Sequence, residues 1–269
     1  MRDGDCVRFL QWCLPRLGLR WSGYRRVRGT VCKRLNRRLR ALGLADWDAY
    51  RRYLEDTPQE LEVVARACRI PVSRFYRDRA VFDQLRDVEL PRLAHAAAAR
   101  GASRVAAWSC GCASGEEPYS LALLWRLDVA APTMNLDVLA TDAEPQMIAR
   151  ARVGCYAAGS LRDVPAHWRP RGFEHGATGA CVRRELRRGV ALACVDVRTA
   201  MPEGPFDLIL CRNLAFTYFV PTEQRRLLAG FVARLMPAGV LVIGAHETLP
   251  TPHPLAAAAG ALPIYRKGA

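Results

Sequence analysis

Residues able to bind a charged, nucleoside-like ligand recur along the chain from Gly111 onward. Gly111 and Gly115 lie in one stretch that ends in Glu116, and Asp142 follows 27 residues beyond Gly115. Glycines permit a tight turn and a close approach of the backbone to a ligand. A carboxylate at Glu116 could pair with a ligand ammonium group, and nucleotide-binding folds place an acid near Asp142 to accept ribose hydroxyls. The spacing differs from the G-x-G-x-x-G dinucleotide fingerprint, which favours a ligand without a pyrophosphate.

Further polar residues follow the next two predicted strands. Asp196 comes after the third strand and could receive an adenine amino group, while Arg212 and Asn213 come after the fourth. Ligands of open α/β sheets bind at the carboxyl ends of the strands, so these residues should share one edge of the sheet. Glu116 and Asp142 together fit a ligand with an amino-acid end and a ribose. S-adenosylmethionine has both groups, and we predict it as the cofactor.

Two of the acidic positions, Glu117 and Asp142, also have purely structural explanations. Ser114 and Glu117 match an S-x-x-E capping box at a helix start, which would explain Glu117 and leave Glu116 free to face the crevice. Asp142 could simply cap the helix that begins near Pro145. Its position one helix and one strand beyond Gly115 favours the ribose role over the cap.

The elements that must position these residues alternate from Arg104 onward. The pattern predicts strands at 105–109, 136–141, 190–195, 206–211 and 240–244, with helices at 117–127, 146–151 and 222–235. Such alternation predicts a mostly parallel sheet with helices on both faces. Residues 154–189 interrupt it with little periodicity, and we interpret them as a small inserted subdomain.

The first 90 residues contain no strand-like alternation and are predicted to be helical. One helix carries an apolar stripe with a spacing of four, four and three residues, formed by Val31, Leu35, Leu39 and Leu42. Its other faces are strongly cationic, with Lys33, Arg34, Arg37, Arg38 and Arg40. Asp46 is a candidate N-cap for the next helix, and a third helix is expected over 60–68. The pair Ile70-Pro71 ends the pattern because the residue before proline disfavours the α region.

Charge and composition narrow the class of protein. The 269 residues carry a formal net charge of +14, and residues 6–45 contain eleven basic residues and no acidic one. This block indicates a polyanionic partner, either nucleic acid, a membrane surface or an acidic protein face, unless it is merely a solvated helix face. No apolar run reaches the roughly 18–20 residues of a membrane span, and no signal peptide is evident, so we expect a cytoplasmic protein.

The ten cysteines show no metal-binding pattern. Cys110 and Cys112 form the only close pair, and there is no Cys-x-x-Cys or adjacent histidine pair, so we predict no metal site. We expect the cysteines to be small apolar fillers in a reducing compartment, with a structural or redox role for this pair as the alternative.

Several motifs resemble those of the CheR family of chemotaxis receptor methyltransferases. They are SRFYRD at 73–78, WSCGCASGEEPYS at 108–120, ATD at 140–142, FDLILCRN at 206–213 and GAHE at 244–247. The resemblance extends over nearly the whole chain and implies a Rossmann-like methyltransferase sheet. It also implies a small all-helical domain at 1–75, a methyltransferase domain at 76–269 and an inserted β-subdomain at 154–189. The family transfers methyl groups from S-adenosylmethionine to glutamates on the cytoplasmic helices of chemoreceptors.

The resemblance also assigns roles to particular residues. Arg77 and Tyr218 would orient the accepting carboxylate. Residues that bind or surround the cofactor would be Ser73, Arg77, Gly111, Gly115, Glu116, Asp142, Asp196, Val197, Arg212 and Asn213. One departure affects Tyr218, because four residues separate it from Asn213 where the family has three. The basic helix at 33–40 would dock the glutamate-rich helices of the acceptor by charge complementarity.

Other functions compete with this one. A nucleic-acid methyltransferase should carry an Asn/Asp-Pro-Pro-Tyr motif where this chain has Cys211, Arg212 and Asn213, so we expect no nucleic-acid partner. We also expect no insertion into a membrane. A methyltransferase acting on small-molecule carboxylates, or a non-catalytic scaffold that binds S-adenosylmethionine, would use the same fold.

Overall fold

The computed structural model describes residues 3–129, 133–177, 179–258 and 260–268. These residues form two compact units. One contains the chain through Ile70 together with Thr217–Glu223, and the other contains Pro71–Phe216 and the chain from Gln224 onward. The break between Ile70 and Pro71 coincides with the dipeptide at which the helical pattern of the sequence ends.

The first unit is helical, as the sequence predicts. Its helices are α1 (Asp3–Cys13), α2 (Trp21–Tyr24), α3 (Arg28–Ala41), α4 (Trp47–Asp56) and α5 (Glu60–Cys68). Asp46 caps α4, because its Oδ1 accepts the Ala49 N–H at 2.7 Å. Val31, Leu35 and Leu39 are buried on α3, while Leu42 lies just past its end and is half-buried. Burying each leucine contributes about 1.5–3 kcal/mol, so this stripe anchors the cationic helix.

The second unit is built on a seven-stranded sheet in the order β6-β2-β1-β7-β8-β10-β9. Its strands are β1 (Arg104–Cys110), β2 (Asn135–Asp142), β6 (Val190–Cys194), β7 (Phe206–Cys211), β8 (Leu235–Ile243), β9 (Leu255–Ala257) and β10 (Ile264–Lys267). The first five are parallel to one another, whereas β10 is antiparallel to both β8 and β9. The predicted Rossmann-like sheet is therefore confirmed, with two additional strands at its end.

Helices surround this sheet. They are α6 (Arg79–Gln84), α7 (Leu90–Ala99), α8 (Glu116–Leu124), α9 (Pro145–Val153), α10 (Trp168–Gly172), α11 (Arg184–Arg187), α12 (Ala215–Tyr218) and α13 (Pro221–Arg234). Every residue of β7 is buried, which is expected of a central strand covered on both faces. Trp108 on β1 is fully buried, and its Nε1 donates to Thr141 Oγ1 at 2.9 Å on the adjacent strand. This polar bond satisfies the indole within the apolar core.

The interrupting segment forms a separate three-stranded antiparallel sheet. Its strands are β3 (Cys155–Tyr156), β4 (Phe173–Gly176) and β5 (Gly179–Val182), in the order β3-β5-β4. They lie within the inserted region that the sequence indicates at 154–189.

Four of the ten cysteines are not simple apolar fillers, so that prediction is wrong for them. Cys6 on α1 is bonded to Cys32 on α3, and Cys155 is bonded to Cys181, which lies directly opposite it in the β3–β5 register. Disulfide pairing depends on the distance and direction of the Cβ atoms, which irregular spacing in a sequence cannot reveal. The remaining six are free, and Cys194 alone among them is exposed.

A search of the described residues finds no helix whose length and apolar character would let it cross a bilayer.

Candidate cofactor and acceptor site

The loop after β1 is a tight turn held against the end of β2. Gly111 and Gly115 have φ angles of 79° and 94°, which glycine adopts without steric cost. The N–H groups of Gly111 and Cys112 both donate to the Thr141 carbonyl, at 2.8 and 3.0 Å. A Cβ atom at position 111 would lie 2.6 Å from the Leu214 side chain, which would have to shift, and the φ angle would be strained for any residue other than glycine. The turn thus brings the ends of β1 and β2 and the residue after Asn213 together.

Glu116 is the first residue of α8 and is only 3% exposed. Burial raises the pKa of its carboxyl, and hydrogen bonds and the charge of Arg150 oppose that effect. Burying a carboxylate is unfavourable unless a cation compensates it. A ligand ammonium group would supply that compensation, which is the role the sequence predicts.

The capping-box interpretation of this helix start is wrong. Gly115, in the left-handed conformation, is the N-cap residue, so Ser114 lies one position too early to cap α8. The Ser114 hydroxyl instead contacts both carboxylate oxygens of Glu116 at 3.0 Å. Glu117 accepts from the Ser109 hydroxyl at 2.8 Å. Glu116 is therefore held in place by the loop, and is not the free carboxylate that the sequence suggested.

Asp142, at the end of β2, joins the two ligand-side loops. Its Oδ2 accepts the Ala113 N–H at 2.9 Å, and its Oδ1 accepts the Glu144 N–H at 2.9 Å. The N-cap of α9 is Glu144, so Asp142 is not the cap residue of that helix. Each carboxylate oxygen can accept more than one hydrogen bond, so these contacts are compatible with ribose binding.

The loop after β6 contains the predicted adenine-side residues. Asp196 binds Arg198, whose Nη2 lies 2.8 Å from Oδ2 and whose backbone N–H donates to Oδ1 at 2.9 Å. Val197 is buried. The Val195 N–H donates to the Asp142 carbonyl at 3.0 Å, so this loop begins beside the end of β2. Contact of Asp196 and Val197 with an adenine stays a prediction.

Arg212 lies inside the protein, and its side chain is 2% exposed. Its Nη1 donates to Glu117 at 3.0 Å, and its Nη2 donates to the Arg77 carbonyl at 2.7 Å and to Asp78 at 2.8 Å. The guanidinium also faces the Phe82 ring at 5.3 Å. The predicted contact of Arg212 with the cofactor stays a prediction.

Asn213 has a left-handed backbone, with a φ of 57°. The Glu247 carboxylate accepts its N–H at 2.8 Å and that of Gly244 at 2.6 Å. This buried acid thus fixes the turn after β7 to the turn after β8. Left-handed conformations of non-glycine residues are strained, and here such contacts hold them in place.

The segment Ser73–Asp78 contains Arg77 and two further left-handed residues, Tyr76 and Asp78, with φ values of 55° and 60°. Its backbone is anchored by hydrogen bonds from Phe75 N–H to the Ser160 carbonyl and from Tyr76 N–H to Ser120 Oγ. Ser73 is half-buried, as is Arg77, whose Nη1 donates to the Val72 carbonyl at 3.1 Å.

Tyr218 belongs to the first unit, unlike Arg77. Its ring packs on Tyr24 with the centroids 4.9 Å apart, and its carbonyl accepts the Arg20 N–H at 2.8 Å. Its participation with Arg77 in acceptor binding therefore stays a prediction.

Sequence reasoning missed the residues that support the site. Glu117, Ser120, Tyr156 and Glu247 each bond to a loop that carries a predicted ligand residue; Tyr156 Oη, for example, donates to the Ser114 carbonyl at 2.7 Å. The motifs at 114–120 and 244–247 contained three of these residues, but a motif does not show which of its members faces the ligand and which faces the protein.

These features define a class of protein. The parallel sheet with an antiparallel β10, the glycine turn after β1 and the acids Glu116 and Asp142 at adjoining strand ends suit a ligand with an amino-acid end and a ribose. They describe a Rossmann-like methyltransferase whose cofactor is S-adenosylmethionine.

Comparisons with known proteins agree over both units. Residues 71–260 match the model of the CheR methyltransferase SAM-binding domain, and residues 7–67 match that of the CheR methyltransferase all-alpha domain. The Chemotaxis protein methyltransferase of Escherichia coli is 31% identical over 256 residues, which cover 92% of this chain and 85% of that protein. Its counterpart in Listeria monocytogenes is 36% identical over 183 residues, covering 68% and 67%.

An uncharacterized 104.1 kDa protein of Rhodobacter capsulatus is 32% identical over 223 residues; the match covers 82% of this chain but 23% of that protein. The matches to both domain models show that the chain belongs to the CheR methyltransferase family.

Proposed function

We propose that this protein transfers the methyl group of S-adenosylmethionine to glutamate side chains of a chemoreceptor-type protein in the cytoplasm, giving glutamate methyl esters. The observation that supports this most is the match of both CheR domains, together with chemotaxis methyltransferases aligned over most of the chain. The arrangement of Glu116, Asp142 and Arg77 within the second unit is compatible with that chemistry.

The chemistry places modest demands on the protein. S-adenosylmethionine, when bound, supplies a methyl group on an electrophilic sulfonium, and an ionised carboxylate is already a nucleophile. Glu116 would hold the amino group and Asp142 the ribose, with Asp196, Val197 and Asn213 around the adenosine. The protein's work is to exclude water and align the acceptor, and such positioning can supply much of a rate enhancement.

Arg77 would orient the accepting carboxylate. A guanidinium grips a carboxylate through two parallel hydrogen bonds and stays charged at any physiological pH. Too tight a grip would reduce the nucleophilicity of the carboxylate, so a tyrosine hydroxyl such as that of Tyr218 would suit a weaker second contact. No general base is required, because the attacking carboxylate carries no proton.

The cationic helix α3 would dock the acceptor, but only part of its charge is available for that. Arg38 forms a two-fold contact with the buried Glu60, at 2.8 and 2.7 Å, and lowers the pKa of that carboxyl. Arg34 donates to the carbonyls of Ala67 and Arg69 at the end of α5. These two arginines therefore stabilise the packing of α3 against α5.

Beyond Arg28 at its first position, the exposed cations of α3 are Lys33, Arg37 and Arg40, which we call the basic stripe. Their spacing of four and three residues places them along one side of the helix, over about 10 Å at 1.5 Å per residue. A stripe of this length suits an acidic helix with carboxylates at matching spacing. Charge complementarity of this kind would raise the encounter rate and fix the register of the acceptor helix, and it would contribute less to the affinity.

The test uses radiolabelled S-adenosylmethionine and membranes that contain the host's receptors. We expect label on receptor-sized bands that is released as methanol by mild base, as a methyl ester requires. Base-stable label, or label on nucleic acid alone, would refute the carboxylate acceptor. Label on a small metabolite would indicate a small-molecule carboxyl methyltransferase, and cofactor binding without turnover would indicate a scaffold.

A further inference from the structure

Arg212 connects the helix that begins with Glu116 to the segment that contains Arg77. Its Nη1 binds Glu117 on α8, and its Nη2 binds both the Arg77 carbonyl and the Asp78 carboxylate. The side chain is 2% exposed, while those of Asp78 and Glu117 are 24% and 13% exposed. Hydrogen bonds between charged groups are roughly twice as strong as neutral ones, and strength of this kind can hold a strained backbone.

The backbone that Arg212 holds is strained. Tyr76 and Asp78, on either side of Arg77, both have φ near +60°, a conformation that side-chain-bearing residues rarely adopt. Such residues persist only where surrounding contacts over-determine them. The Tyr76 N–H is held by Ser120 Oγ on α8, at 2.9 Å, and the Arg77 carbonyl is held by Arg212. One anchor lies on the peptide unit before Tyr76 and the other on the unit after Arg77, so they enclose the residue proposed to bind the acceptor.

We propose that Arg212, with Asp78 and Glu117, is a positioning clamp that fixes the backbone of Arg77 and so aims its guanidinium at the acceptor carboxylate. Arg212 acts through Arg77 and is not itself a catalytic residue. This inference rests on the acceptor role proposed above for Arg77. It also gives separate roles to the two adjacent glutamates of the motif at 108–120. Glu116 would bind the cofactor, and Glu117 binds Arg212.

This role uses both Nη atoms of Arg212, which donate to acidic or carbonyl oxygens of the protein, and the Phe82 ring lies over the guanidinium. Among the described residues, the buried Nε–H of Arg212 has no hydrogen-bond partner, so a measurement of Kd separates the positioning role from a direct contact with the cofactor. Glu117 is in turn fixed by the Ser109 hydroxyl at 2.8 Å on the end of β1. The chain of contacts therefore runs from the central strand through Glu117 and Arg212 to the Arg77 segment.

The experiment compares Asp78→Asn and Glu117→Gln, which keep the shape of each partner and remove its charge. Substitution of Arg212 itself would leave two carboxylates without their partner and risk misfolding. An Arg79→Gln variant is the matched control, because Arg79 is the exposed residue next to Asp78. Three quantities are measured on the full chain: kcat for methyl transfer, the Kd for S-adenosylhomocysteine, and hydrogen exchange in the peptide covering residues 73–79.

We expect each clamp variant to lower kcat about tenfold, since small displacements of a positioning group have effects of this order. The Kd should change by less than about threefold, and amides at 73–79 should exchange at least about threefold faster, as local opening becomes easier. Arg79→Gln should match the wild type in all three. A Kd that rises in step with the fall in kcat would overturn the proposal in favour of direct support of the cofactor. Unchanged exchange would overturn it as well.

A second measurement tests whether the clamp acts through Arg77. In an Arg77→Lys background, Glu117→Gln should lower kcat by less than about twofold, because residues that act as a unit are not additive. Full additivity would contradict the clamp. Hydrogen exchange and binding of S-adenosylhomocysteine require no acceptor, so they test the clamp even if no protein becomes methylated. A failure to methylate any protein would contradict the proposed function and would leave these two measurements of the clamp unaffected.

Discussion

At the scale of single residues, the site is a set of buried and half-buried charges held by their neighbours. The Ser114 hydroxyl contacts both carboxylate oxygens of Glu116, and the Asp142 carboxylate accepts hydrogen bonds from backbone N–H groups of two loops. Arg212 is enclosed by Asp78, Glu117 and a carbonyl. These contacts hold each group in place, which reduces the reorganisation that ligand binding requires.

Glu116→Gln should separate binding from stability. The amide keeps the size of the side chain but removes a charge whose burial is unfavourable, so the apo protein should be as stable as the wild type or more so. Calorimetry should show affinity for S-adenosylhomocysteine reduced at least about tenfold, since a charge-assisted bond of about 1.5–3 kcal/mol is lost. A variant of unchanged affinity would remove Glu116 from the ammonium site.

The same carboxyl predicts a pH dependence. Burial raises its pKa above the ordinary glutamate value, and a ligand ammonium group pairs only with the ionised form. Affinity for S-adenosylhomocysteine should therefore weaken as the pH falls toward that raised pKa from above, and binding near it should release protons. Titrations in buffers of different ionisation enthalpy measure the release. Glu116→Gln serves as the control, and an equal pH dependence in that variant would contradict the assignment.

Arg77→Ala should lower methyl transfer by about 100-fold or more, because alignment of the acceptor carboxylate is lost. The affinity for S-adenosylhomocysteine should fall much less, since Glu116 and Asp142 are untouched. Steady-state transfer assays and calorimetry on the same preparation give the two numbers. Turnover equal to that of the wild type would exclude Arg77 from the mechanism.

At the scale of elements, the sequence predicted those whose pattern is strong. The stripe of α3 and the alternation from β1 to β8 follow directly from periodic burial, and the predicted strand at 206–211 has the bounds of β7. Strands β9 and β10 are three and four residues long, and a pattern that short carries little signal. The predicted capping box failed because a left-handed Gly115 moved the helix start by one residue.

The candidate site was predictable as a set of loops rather than as a set of contacts. The rule that strand ends share an edge locates Gly111, Glu116 and Asp142 together. It does not reveal that Glu117 and Arg212 face inward, because adjacent residues at a helix start point in different directions. The disulfides were missed because their partners come together only in the folded chain.

The basic stripe on α3 can be tested by charge reversal. Lys33→Glu combined with Arg37→Glu should lower kcat/KM for receptor methylation about tenfold or more at low ionic strength, with the difference shrinking as salt rises. Binding of S-adenosylhomocysteine should be unchanged. Arg52→Glu, at an exposed residue on α4, is compared with the single reversal Lys33→Glu as the control for charge, because the two change the net charge equally. Equal losses in the control would indicate a general effect of net charge rather than a docking surface.

Counting thiols tests the pairing of the cysteines. Protein unfolded without a reductant should react with a thiol reagent at six positions, because Cys6–Cys32 and Cys155–Cys181 are bonded. After reduction the count should be ten. Peptide mapping of the unreduced protein identifies the partners. Ten reactive thiols without reduction would restore the expectation that every cysteine is a simple filler.

At the scale of the whole molecule, the described residues form two compact units. The helical unit contains the basic stripe, on a helix anchored by its apolar side, and the α/β unit contains the loops at the strand ends and the Arg77 segment. The net charge of +14 is consistent with attraction to an acidic protein partner over long range. Both units correspond to domains of one methyltransferase family.

Calorimetric titration of the purified full chain with S-adenosylhomocysteine tests the central claim most directly, since every proposed role depends on the pocket at the ends of β1 and β2. We predict saturable binding with one molecule per chain, weakened at least about tenfold by Asp142→Asn, which removes the charged acceptor of the ribose hydroxyls. No heat and no saturation with S-adenosylhomocysteine or with S-adenosylmethionine would contradict the account.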